Sequence, residues 1–149
     1  MLDYALHEGI ISLPEDWLDQ SINIFVHPGG DPPQCTVVLS RGILESGEDL
    51  KGYAQRQTDL LKQTLTDMEI IREQDILIQR QQGWEAEFGW SGEGRRYRQR
   101  QVFLARGTLV VIFTATVQED FYVKHWQAMD AILGSFRFKD SNLKENTHV

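Results

Sequence analysis

The chain has 149 residues, enough for one domain that buries a real core without disulfides or metals. Its 41% hydrophobic and 25% charged residues describe a globular chain rather than a disordered one. A net charge of −7 argues against nucleic acid and against an anionic membrane surface, both of which call for a basic face.

The first ten residues, MLDYALHEGI, have no basic stretch and no long apolar run, so they do not read as a signal peptide. Tyr4–Leu6 and Ile10–Leu13 read as a small hairpin around Glu8-Gly9. Pro14 breaks the run, and Trp17 is expected to anchor the core. Residues 21–26 alternate, with Ile22, Ile24 and Val26 on one side and Asn23 and Phe25 on the other. His27–Pro33 is a loop by composition, and residues 35–41 form a second strand. Its single cysteine, Cys35, reads as a small apolar strand residue.

The period changes over residues 48–66. Leu50, Tyr53, Ala54, Leu60, Leu61 and Leu65 follow helical spacing, with Ser46 and Asp49 as candidate caps. Gln57 interrupts this stripe one turn from Tyr53 and Leu61. Strands follow at residues 69–79, 83–90, 95–105 and 108–117, and a second helix at residues 121–133. Phe136 and Phe138 suggest a short closing strand, and residues 139–149 a polar tail after a single domain spanning residues 1–138. The longest apolar run, Leu109–Phe113, is too short to span a bilayer, and the expected location is cytoplasmic. The fold class is α+β: one twisted antiparallel sheet with two main helices packed on it.

A turn centred on Gly92-Glu93 sets Glu87 opposite Arg98, Glu85 opposite Arg100 and Gln101 opposite Trp84. Opposite charges then share one face and aromatics the other. The basic run of Arg95, Arg96, Arg98 and Arg100 thus reads as cross-strand pairing, with a partner contact from Arg95 or Arg96 left open. His7, His27, His125 and His148 have no metal-ligand spacing and read as solvated or capping residues. No nucleophile, metal or phosphate motif is present, and no enzyme activity is expected.

Both faces of several strands are apolar. Val38 alternates with Val37 and Leu39, and Leu109, Val111 and Phe113 alternate with Val110 and Ile112. If the helices cover one face, the other must meet a second subunit, another layer or a ligand. Gln57 and Gln101 stand among apolar neighbours, where an amide either bonds nearby backbone or is offered to a guest.

Four segments carry a family resemblance: LHEGIISLPEDWLDQSINIF (residues 6–25), VVLSR (37–41), YAQRQ (53–57) and RQRQVF (98–103). Over about residues 2–138 the chain resembles the Eag-type chaperones of type VI secretion effectors, a group of the DcrB-like family with a PsbP/Mog-like fold. The resemblance implies a cytoplasmic homodimer without cofactor, nucleotide or metal. It implies that the protein shields N-terminal, transmembrane-type helices of an effector of the PAAR/Rhs class and is not itself inserted in the membrane. The family's client-contacting positions fall here on Ile22, Ile24, Val38, Ser40, Gln57 and Gln101. The composition also leaves open a carrier of a small apolar ligand such as a lipid, a Mog-type regulatory domain that binds a folded partner through charge, and a hydrolase whose site is assembled only in space.

Overall fold

A computed structural model describes residues 1–139; the polar tail, apart from Lys139, lies outside the described residues. The described residues divide into two compact units, residues 1–20 with 137–139, and residues 21–136.

In the first unit β1 (Leu2–Ala5) pairs antiparallel with β2 (Ile10–Leu13). The turn closes through Leu6 N–H donating to Gly9 O at 2.7 Å. The Tyr4 hydroxyl donates to Asp19 at 2.6 Å and Ser12 to Asp3 at 2.8 Å. Trp17 is not the core anchor expected from the sequence: it is 65% exposed. A hairpin of two four-residue strands has no second layer of its own in which to bury an indole.

The second unit runs β3 (Asn23–Val26), β4 (Cys35–Ile43), α1 (Leu50–Thr64), β5 (Thr66–Ile78), β6 (Gln81–Gly92), β7 (Arg95–Arg106), β8 (Leu109–Gln118), one 3₁₀ turn (Glu119–Phe121) and α2 (Tyr122–Gly134). Its strands form one sheet in the order β3-β4-β8-β7-β6-β5, every neighbour antiparallel. Asp49 caps α1, its carboxylate accepting from Gly52 N–H at 2.7 Å. No strand closes the chain at Phe136 and Phe138. The Phe136 ring instead sits edge-on to Phe113 at 5.0 Å, where apolar contact replaces edge pairing.

Glu93 and Gly94 both have positive φ, so the β6–β7 hairpin turns on them as a primed turn and not on Gly92-Glu93. Gln101 is therefore opposite Ala86 and Glu87 opposite Arg100, two residues along from the expected register. A shift of two keeps every side chain on its expected face. The expected ion pairs survive as diagonal contacts: Arg100 Nε bonds Glu85, and Arg98 Nη1 lies 3.8 Å from Glu87.

Register parity gives the sheet two faces, and the helices take one each. The expectation that both would share a face fails here. On one side, Cys35, Val37, Val102, Leu104, Val111, Phe113, Ala115 and Val117 are joined by the charged group around Glu85. The second helix covers this side, with His125, Met129 and Leu133 buried. Arg100 also bonds Asp130 of α2 at 3.0 Å, and its guanidinium lies 5.2 Å from the Trp126 ring. The Arg98 guanidinium lies 3.8 Å from the Tyr122 ring. Arg72 bridges Glu85 and Glu87, at 3.1 Å to each. Burial alone raises the Glu85 carboxyl's pKa, but the Gln74 hydrogen bond and the charges of Arg100 and Arg72 outweigh it, and the group stays below its ordinary range. His125 is neither solvated nor a cap. It is 3% exposed, with Nε2 2.9 Å from Gln34 Oε1 and its ring edge-on to His27. Burial, then the neighbouring His27, depresses its pKa.

Candidate functional site

The site lies on the opposite face, the one that α1 covers in part. Directly paired residues point to the same side of a sheet. Ile24 pairs with Val38, Val38 with Thr114, Thr114 with Gln101, and Gln101 with Ala86. These residues form one row across five strands. On one side of it runs the row Val26, Thr36, Thr116, Gln99, Phe88; on the other, the row Ser40, Ile112, Phe103, Trp84.

The first helix closes one end of this face because it rests on β6 and β7. Tyr53 and Ala54 join Trp84, Phe103, Val110 and Ile112 in a buried cluster. The Tyr53 ring meets Phe103 edge-on at 6.2 Å. Its hydroxyl lies over Gly42, where a Cβ would collide with it, so a side chain at position 42 would force the Tyr53 ring to shift. Burial first, with Glu48 adding and Arg56 opposing, raises the Tyr53 phenol's pKa.

The other end of the face, on β3 and β4, is open. Ile24 is 64% exposed, Ile22 59% and Val26 50%, while Thr36, Val38, Ser40, Thr114 and Thr116 are half-buried. Gln101 is only 9% exposed. The row thus grades from an apolar rim at Ile24 to a buried amide at Gln101, three strand spacings or about 14 Å away. That is wide enough for one helix, whose diameter with side chains is about 10–12 Å.

The fold brings most of the sequence-derived residues together. Ile24, Val38 and Gln101 share a single row, and Ser40 is in the next. Gln57 is half-buried on α1, one turn beyond Tyr53. Ile22 precedes β3 and is exposed. Sequence reasoning missed the polar middle of the face, Thr36, Thr114, Thr116 and Gln99. The signal was there, since Thr36, Val38 and Ser40 on β4 and Thr114 and Thr116 on β8 each sit at alternate positions, a spacing that puts them on one face.

The two buried amides differ. Gln99 Oε1 accepts from Trp90 Nε1 at 3.0 Å. Gln101 Nε2 donates to Thr114 Oγ1 at 3.2 Å, but its Oε1 is buried and accepts no hydrogen bond among the described residues. A buried, unmet acceptor costs roughly 1–3 kcal/mol, so this atom is either a strain the fold carries or a group awaiting a partner.

An antiparallel sheet flanked by one helix on each face is a PsbP-like architecture. The PsbP protein CyanoP of Synechocystis superposes with a TM-score of 0.55, at 14% identity over 71% of this chain and 68% of that one. LpqN of Mycobacterium tuberculosis, described as involved in cell envelope biogenesis, gives 0.56 at 15% identity over 76% and 82%. A Pseudomonas aeruginosa protein of unknown function, described as a putative regulator, gives 0.79 at 28% identity over 93% and 97%. The DcrB family model matches residues 8–135, and the chain belongs to that family. It is 33% identical to the P. aeruginosa protein named Effector EagT6 over 114 residues, 76% of this chain and 79% of that one. The Eag-type resemblance read from the sequence is borne out. Among the described residues no helix is long and apolar enough to cross a membrane.

Proposed function

We propose that this protein is a cytoplasmic chaperone for a type VI secretion effector, and that it acts by binding and not by catalysis. Its client is an N-terminal, transmembrane-type helix of a PAAR/Rhs-class effector, docked on the open part of the α1 face. The observation that carries this reading is the row Ile24–Val38–Thr114–Gln101, which grades from exposed apolar rim to buried amide with an unmet acceptor. A lipid tail would use the rim but has nothing to offer the amide; an apolar helix with small polar residues on one side uses both. A transmembrane segment of about 20 apolar residues cannot stay exposed in water. Covering about 400 Å² of apolar surface contributes on the order of 10 kcal/mol before ordering costs. Kinship with EagT6 supports the effector as partner. A homodimer, as the family resemblance implies, lets two protomers clamp two helices of one effector.

The test is co-expression of the chain with an effector's N-terminal helices, comparing wild type with Gln57→Ala/Gln101→Ala. The reading expects soluble helices to copurify with wild type and to be lost with a double variant whose circular dichroism is unchanged. Helices that stay insoluble with wild type, together with lipid found by mass spectrometry in the purified protein, would overturn it.

A further inference from the structure

The same row sets the polarity of the hydrogen bond that the face offers, and it brings in a residue outside the sequence-derived set. Gln101 and Thr114 are direct cross-strand partners, and the Thr114 hydroxyl accepts from the Gln101 amide nitrogen. With the nitrogen engaged, the oxygen is left as the unmet group, in a side chain nine-tenths buried. The neighbouring row shows that this is not a general property of the face, because the Gln99 oxygen is already met by Trp90. The Gln101 site therefore offers an unmet acceptor.

The complementary atom lies on the same face. Trp84 pairs with Phe103, which makes it the diagonal neighbour of Gln101. Its Nε1–H is buried and donates to nothing among the described residues. A hydroxyl both donates and accepts, so one side chain can serve an acceptor and a donor. A Lys ammonium cannot accept, and an alanine does neither. A hydroxyl is also the polar group that an apolar helix carries at least cost, because it can fall back on the helix's own carbonyls when unbound.

We propose that Thr114 is a positioning residue. By holding the Gln101 nitrogen it turns the amide oxygen toward the client and makes the face select apolar helices that carry a Ser or Thr hydroxyl at the docked position. This rests on the chaperone reading, and the experiment separates the two. The probe is a 20-residue Leu/Ala helix fused to a soluble carrier and co-expressed with the full chain, in two forms that differ only by one central Ser or Ala.

Wild type should retain the Ser form about tenfold better than the Ala form, the ratio one well-made buried hydrogen bond supports. Thr114→Val, which keeps shape and loses the acceptor, should bring that ratio to about one. Thr114→Ser should keep the ratio. Equal retention of both forms by wild type overturns the hydroxyl selection and leaves the chaperone reading standing. A Thr114→Val protein that loses both forms in parallel overturns the positioning role. Failure of wild type to retain either form overturns the chaperone reading and this inference with it.

Discussion

Replacing Ile24 with alanine separates the binding face from the folding core. Fully burying an isoleucine is worth about 1.5–3 kcal/mol. Ile24 is 64% exposed in the free protein, so roughly two thirds of that gain is still available to a client. Truncation should therefore cost about 1–2 kcal/mol of client affinity, a 5- to 30-fold weakening. It should leave urea-unfolding stability within about 0.5 kcal/mol, as surface substitutions generally do. The assay is a pair of titrations, fluorescence anisotropy with a labelled client helix and urea denaturation by circular dichroism, on wild type, Ile24→Ala and the core control Val102→Ala. Val102 is fully buried on the other face, so its truncation should show the reverse pattern, a large loss of stability. If Ile24→Ala leaves affinity unchanged, or lowers stability as the core control does, then the open end of the α1 face is not a docking surface.

Glu85 should make stability depend on acid pH. Its folded pKa is depressed, so its contribution is complete above the unfolded value of about 4.3 and is lost as pH falls through the folded one. Urea midpoints measured from pH 6 to pH 3 should fall most steeply below about pH 4.3, and less steeply in Glu85→Gln. Gly42→Ala should destabilise by about 1–3 kcal/mol, because the added methyl collides with the Tyr53 hydroxyl and the buried ring must shift; a thermal melt reads it. Asp49→Ala should cost about 0.5–2 kcal/mol by freeing the Gly52 N–H at the start of α1, while Asp49→Ser should recover most of it.

The sequence by itself determined what depends on local periodicity. The alternation along β6 and β7 put Glu85 and Glu87 on the same side as Arg98 and Arg100, and Trp84 and Phe88 on the same side as Gln101. A two-residue error in register left those assignments intact, because side chains repeat every two residues along a strand. The register itself was hidden, since Gly92-Glu93 and Glu93-Gly94 are both plausible turns and only the backbone shows positive φ at Glu93 and Gly94. Trp17 looked like a core residue because indoles usually are, and nothing local says that its hairpin offers no place for it. Ile24, Val38 and Gln101 were each noticed for their own oddity, yet 77 residues of sequence separate Ile24 from Gln101. Only the order β3-β4-β8-β7 sets them in one row. The decision that mattered most for function was also tertiary. The helices take opposite faces, and α1 rests chiefly on β6 and β7, so the end of the apolar face on β3 and β4 stays open, with no further helix among the described residues to cover it.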